Sequence, residues 1–384
     1  MKKILFITPI IPSYRVWLYK KLNLIPSWDF IAIHGREMNQ TFPKDVGHIT
    51  SFNNIIVKNY YLNLKGIPIC FQMNMGQIYR LKPDIIVILD NIKIISNVFI
   101  YILSFFLDFK IIYYTHGLNN GEFTSQKGIV SKVTELLRSF FLRKSTAIIA
   151  YTSKVNDYLV GQKKICQEKI FTASNTLDTE LLVTELRNVS NTDTEKLTKA
   201  LDIEDKFVIC FLGRLTPQKN IKLFIDVIKK LQNNYSVSGI IIGDGPLITW
   251  CKKYTNDNNI TDIHIVGEKS GLELACYLKL AHLMFLPQHV GLAIVHSFIA
   301  NIPFITGKAT NHGPEIEYLM NGYNGILVNH PTIDNFAYEV GKLIINKSQL
   351  MEMSNAAFET AQNRCNSSQM IKAFKDAVDY SILN

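Results

Sequence analysis

A guanidinium and an ammonium stand five residues apart in FLGRLTPQKN (211–220), where Arg214 follows Gly213 and Lys219 ends the turn. Arginine offers a planar fork of N–H donors and lysine a compact charge, a pair suited to gripping a diphosphate; two solvated loop charges would read the same way. A second stretch, PQHVGLAIVHSF (287–298), follows the apolar run HLMFLP and carries Gly291 at what reads as a helix mouth. Glycine lets a ligand come close to the backbone, and the N–H groups of Leu292 and Ala293 at a helix start form an anion site. His296 falls roughly 7 Å further along the axis, where it either reaches a group beside the anion or is an ordinary core histidine. Two more turns follow: GDGPL (243–247), and NHGPEIEYLMNGYNGILV (311–328), with Glu315 at an expected helix start and Asn324-Gly325 before the last strand.

Positioning these residues requires a scaffold, and the chain supplies two series of short β-branched runs alternating with amphipathic segments. The first comprises KILFIT, FIAIHG, DIIVILD, KIIYYTH and TAIIAYT; the second FVICFLG, GIIIGDG, DIHIVGE, HLMFLP, PFITG and GILV. Such alternation predicts an α/β architecture of two doubly wound, Rossmann-like domains, with ligands outside the carboxyl ends of the strands. The expected layout is a first domain over 1–173, a linker and entry helix over 174–205, a second domain over 206–360 and a C-terminal helix over 361–384. That helix carries an apolar stripe that could cross back to the first domain.

With 384 residues, 47% hydrophobic and 19% charged, the chain has the composition of a well-packed globular protein. Its net charge of +9 is uneven: residues 1–173 hold 22 basic and 10 acidic side chains (+12), and 174–384 hold 19 and 22 (−3). A basic first half suits an anionic membrane surface, nucleic acid or a phosphorylated substrate, or is a solvated lysine-rich face. No nucleic-acid-binding module is recognisable, so no nucleic-acid partner is expected. Six scattered cysteines without a C-x-x-C pair indicate neither zinc nor a disulfide framework. Pro9 and Pro12 interrupt the first apolar run, which reads as a strand and not an export signal. The run VFIYILSFFL (98–107) is about half the length a spanning helix needs. A dehydrogenase is disfavoured because no G-x-G-x-x-G follows the first strand of either series.

Taken in order, GRLTPQKN, GDGPL, HIVG, PQHVGLAIVHSF, PFIT and GPEIEYLMNGYNGILV resemble the donor-binding domain of glycosyltransferase family 4, enzymes of the GT-B fold. The resemblance extends more weakly into the first half through THG (115–117) and NTLDT (175–179). It implies a retaining transfer of a hexosyl or N-acetylhexosaminyl group from a UDP- or GDP-linked sugar bound in a cleft between the domains. Arg214 and Lys219 would neutralise the departing diphosphate, the amides of Gly291, Leu292 and Ala293 would face the phosphates or sugar, and Val266 and Gly267 would line the base pocket. His116 would sit below the sugar. The chain departs from the family where two glutamates eight positions apart usually stand, replacing them with Gln288 and His296. Its first loop, TPIIPSYRVWLYKKL, lacks the glycines of many relatives; Tyr14 and Arg15 there either project into the cleft or cap the next helix. No D-x-D motif is evident, so neither metal nor cofactor is expected.

The same resemblance suggests a glycan or polyprenyl-diphosphate-linked acceptor, used in bacterial capsule or lipopolysaccharide synthesis. Residues 127–145, KGIVSKVTELLRSFFLRKS, form a basic amphipathic segment expected to lie on the anionic inner leaflet, or to be an ordinary helix with a solvated face. The enzyme would then be cytoplasmic and peripheral to the membrane. The alternatives are a catalytically degenerate GT-B subunit that binds an active transferase, suggested by the missing glutamates, and a GT-B sugar-nucleotide epimerase.

Overall fold

The structure is a computed structural model that describes residues 1–36, 51–64, 67–116 and 129–384. Two compact units divide the chain: Met1–Leu177 with Ser368–Asn384, and Asp178–Ser367.

The first unit runs β1 (Lys2–Thr8), α1 (Val16–Asn23), β2 (Trp28–His34), β3 (Asn54–Ile56), β4 (Asn59–Leu64), β5 (Ile67–Gln72), α2 (Met75–Leu81), β6 (Ile85–Leu89), α3 (Ser96–Leu103), β7 (Lys110–Thr115), α4 (Ile129–Lys144), β8 (Ala147–Ala150), α5 (Ser153–Gly161) and β9 (Ile170–Thr172). Seven of these strands form a parallel sheet in the order β3-β2-β1-β6-β7-β8-β9, while β4 and β5 pair as a separate antiparallel hairpin. The five strands expected from the first series are β1, β2, β6, β7 and β8. Their residues are buried on both faces, as a parallel sheet between helices requires.

The second unit contains α6 (Thr179–Asn188), α7 (Asn191–Ala200), β10 (Phe207–Leu212), α8 (Ile221–Leu231), β11 (Val237–Ile242), α9 (Ile248–Asp257), β12 (Ile263–Gly267), α10 (Gly271–Leu280), β13 (Leu283–Phe285), α11 (Ala293–Ile299), β14 (Phe304–Gly307), β15 (Gly325–Val328), α12 (Ile333–Ile345) and α13 (Lys347–Arg364). Its six parallel strands lie in the order β12-β11-β10-β13-β14-β15. The direction of winding therefore reverses between β10 and β13, the point at which loops splay apart and leave room for a ligand. Where a linker and one entry helix were expected, α6 and α7 form part of this unit, α7 beginning in a capping box between Ser190 and Asp193.

A last helix, α14 (Ser367–Leu383), returns to the first unit. Met370, Ala373, Phe374, Ala377 and Val378 recur at helical spacing and enter the core over β1 and β7. There the Phe374 ring lies 6.1 Å from that of Phe6 and 5.2 Å from that of Tyr114.

Candidate functional site

In the second unit, β10 and β11 end at glycines that let their loops interlock. Gly213 and Gly243 both have φ of +144°, and a Cβ on Gly243 would lie 2.1 Å from the Gly213 carbonyl oxygen. Leu215 donates its N–H to Asp244 O at 2.9 Å, fixing the course of the loop that carries Arg214 and Lys219. Arg214 is exposed on this loop.

Lys219 turns toward the neighbouring loop, after β13, and donates from Nζ to His289 O at 2.9 Å. Burial pushes the ammonium pKa down to about 8, an effect opposed by the charge of the buried Glu315. His289 adopts a φ of +53°, and its Nδ1 donates to Asn311 O at 2.6 Å. His312 ties the adjacent loops by accepting from Val290 N–H at 3.1 Å on Nδ1, while its Nε2 donates to Gly307 O at 2.8 Å. Thus the loops after β10, β13 and β14 meet at the winding reversal, with a cation at their centre. His289, whose carbonyl accepts from Lys219, and Glu315, whose charge acts on it, were not singled out for this role by the sequence, because their partners are remote in the chain. Glu315 lies in the first turn of a short 3-10 helix, Pro314–Tyr318, at the expected helix start. Asn324 accepts from Met320 N–H and donates to Tyr318 O and Thr360 Oγ1, a structural role in the turn before β15.

Gln288 and Gly291 lie in the loop after β13, both partly accessible. A Cβ on Gly291 would meet no heavy atom within 4 Å. The amides of Leu292 and Ala293 have no backbone acceptor among the described residues. Val266 and Gly267 end β12 at the sheet edge, and a Cβ on Gly267 (φ +78°) would likewise find open space.

His296 remains partly accessible although deeply enclosed, and its Nδ1 lies 3.1 Å from Leu292 O. A carbonyl can only accept, so Nδ1 carries the proton. Burial lowers the imidazole pKa, the Leu292 carbonyl opposing, so the ring is neutral at pH 7 and Nε2 is an acceptor. A carboxylate would also accept here, but would add a negative charge.

The first unit has its own polar centre at the carboxyl ends of its strands. Asp90, following β6, accepts from Tyr113 Oη at 2.7 Å, from Arg138 Nε at 2.9 Å, and from Arg138 Nη2 and Thr115 Oγ1. The Asp90 and Arg138 side chains are 4% and 6% exposed. Arg138 therefore faces inward from α4 and is no part of the basic outer face expected over 127–145. Lys127 lies outside the described residues; Arg143 and Lys144 are exposed.

His116 follows β7, with its ring centroid 3.9 Å from that of Tyr151. Part of its surface is open, yet enclosure by protein, followed by the Arg15 charge, lowers its pKa to about 4. Arg15 is buried, hydrogen-bonded to Tyr151 Oη and 5.1 Å from that ring's centroid, while Tyr14 is exposed. Neither side chain caps α1, contrary to that alternative.

Two doubly wound parallel units in one chain define a fold of the GT-B class. Residues 193–360 match the family model described as glycosyl transferases group 1. An uncharacterized glycosyltransferase of Methanocaldococcus jannaschii is 29% identical over 140 residues, 36% of this chain and 38% of that protein. The 2-deoxystreptamine N-acetyl-D-glucosaminyltransferase of Niallia circulans is 29% identical over 148 residues, 37% of each chain. The chain thus spans less than two fifths of the length of these curated relatives. In fold, the crystal structure of Anabaena HepE in complex with UDP is similar across 99% of this chain and 100% of that one, with a TM-score of 0.71 and 16% identity.

Proposed function

We propose that this protein is a retaining glycosyltransferase that moves a hexosyl or N-acetylhexosaminyl group from a nucleotide-sugar to a glycan or polyprenyl-diphosphate-linked acceptor. The observation that carries the reading is the contact of Lys219, on the loop that also bears the exposed Arg214, with the Gln288–Ala293 loop at the winding reversal of the second unit. A UDP- or GDP-linked donor places its diphosphate against these cations and the Leu292 and Ala293 amides, its ribose near His296 Nε2 and its base beside Val266 and Gly267. As the bond from the anomeric carbon to phosphate oxygen breaks, charge collects on the diphosphate, and Arg214 and Lys219 stabilise it without a divalent ion. The acceptor oxygen forms its bond on the face the diphosphate leaves, which preserves configuration, and its proton passes to the departing phosphate. Gln288 hydrogen-bonds sugar hydroxyls, and neutral His116 orients a hydroxyl of the sugar or acceptor. Bacterial surface-polysaccharide synthesis at an anionic inner leaflet is the setting that fits these acceptors.

Calorimetry with UDP, GDP and ADP tests the donor assignment. One nucleotide is expected to bind, and Arg214→Ala to weaken it by about 1.5–3 kcal/mol through loss of a charge-assisted bond; binding of none would reject the proposal. The affinity is also expected to depend on pH through Lys219. With a free-protein pKa of about 8, the ammonium is charged below that pH, and affinity falls above it as the proton is lost. One linked proton limits the fall to about tenfold per pH unit, and a flat profile from pH 7 to 9.5 would remove Lys219 from the anion site.

The ribose contact is separable from packing. His296→Ala is expected to weaken UDP about two- to tenfold while leaving 2′,3′-dideoxy-UDP nearly unchanged, and His296→Glu to retain UDP binding. Equal losses with both nucleotides would make His296 a packing residue.

A further inference from the structure

The apolar run 98–107 is absorbed by no step of sugar transfer, and only half of it is core. In α3, Ile100 and Tyr101 face inward, whereas Phe99 and Ile102 are exposed. In the turn that follows, Phe105 and Phe106 are 64% and 79% exposed. Their backbone is held there by Phe105 N–H to Ile102 O at 3.2 Å and Phe106 N–H to Leu103 O at 2.9 Å.

The hairpin continues this surface. β5 is pinned to the entry of α3 by Cys70 N–H to Lys93 O at 2.8 Å and Ile95 N–H to Cys70 O at 2.9 Å. Phe71 meets Phe99 edge to face, ring centroids 6.0 Å apart. Across the hairpin, Tyr60 pairs with Phe71, and the exposed Leu62 lies two residues along the same strand face. Tyr60, Leu62, Phe99, Ile102, Phe105 and Phe106 thus form an apolar ridge from two elements. Contiguous exposed apolar surface of this kind marks an interaction site.

Its charged border indicates the occupant. Lys58 Nζ lies 4.8 Å from the Tyr60 centroid and Lys144 Nζ 5.8 Å from that of Phe105, with exposed Arg143 beside Lys144. Asp108 is the one acid in the turn carrying the phenylalanines. Rings flanked by cations, within a half of net charge +12, match the boundary between acyl chains and anionic headgroups. Among the described residues no helix is long and apolar enough to cross a membrane.

We infer that the α3 tip and the β4–β5 hairpin form an in-plane docking surface for an anionic lipid bilayer, with Phe105 and Phe106 as its wedge. This rests on the membrane half of the functional proposal, moves the contact from the 127–145 helix as a whole to this ridge, and is independent of the sugar chemistry.

The test is co-sedimentation with vesicles of equal phosphatidylglycerol and phosphatidylcholine, against phosphatidylcholine alone. Wild-type protein is expected to bind the anionic vesicles, and Phe105→Ser/Phe106→Ser to reduce the bound fraction roughly tenfold, with Lys144→Glu also weakening it. Phe106→Trp should show a blue-shifted emission on those vesicles. UDP calorimetry without lipid should be unchanged in all variants, which separates failure of docking from failure of the donor assignment, and a thermal melt checks folding. No vesicle binding by the wild type, equal binding by the double serine variant, or a dimer that the variant converts to monomer without vesicle binding would each overturn the inference; the last would make a second copy the occupant.

Discussion

Replacing Arg138 by leucine is expected to cost the first unit about 3–5 kcal/mol, because it leaves the Asp90 carboxylate buried without its cation. The pair is almost fully enclosed, at 4% and 6% side-chain exposure, so solvent screening relieves little of that penalty. Tyr113 and Thr115 still donate to Asp90, but two neutral donors replace neither the charge nor the two-point grip of the guanidinium. Asp90→Asn should also destabilise the unit, by removing the carboxylate that Arg138 grips through Nε and Nη2. The double variant Asp90→Asn/Arg138→Leu should lose clearly less than the sum of the singles, since no unpaired ion remains. Urea unfolding followed by circular dichroism reads all three. A single-variant loss below about 1 kcal/mol would show that the pair is hydrated in solution.

Under the proposed sugar transfer, with Lys219 at the leaving diphosphate, Lys219→Ala should reduce turnover by about 10²–10³ at saturating donor, the scale expected when a preorganised charge at a developing anion is removed. Donor binding should suffer less than turnover, because the diphosphate gains charge as the glycosidic bond breaks. Lys219→Arg should recover only part of the rate, since a planar fork cannot reproduce a compact ammonium held by His289 O at 2.9 Å. Single-turnover measurement with the nucleotide-sugar identified by calorimetry separates the two effects. An unchanged rate for Lys219→Ala would place the leaving-group charge stabilisation elsewhere.

The second unit was the more legible half. All six of its strands, β10 to β15, coincide with β-branched runs visible in the sequence, and the glycines after β10 and β11 mark real close approaches. In the first unit, β3 and β9 are three residues each and too short to produce a periodic signal. The β4–β5 hairpin is set by pairing with the α3 entry, a tertiary contact that no local pattern announces. Arg138 misled for a related reason. On a helix also carrying Arg143 and Lys144 it reads as one more solvated cation, and its partner Asp90 lies 48 positions earlier at a strand end. Arg214 and Lys219 stand out as a pair in the sequence because both follow one strand; the loops that surround Lys219 come from three.

The return of α14 to the first unit has a consequence for biosynthesis. Phe374 and its neighbours complete the core around Phe6 and Tyr114, yet the ribosome makes them only after all of Asp178–Ser367. At about 5–20 residues per second, the first unit waits roughly 10–40 s with that face unfilled. The second unit, made without interruption, can close first. Until α14 emerges and docks, the first unit would thus present an open aromatic face to chaperones and proteases.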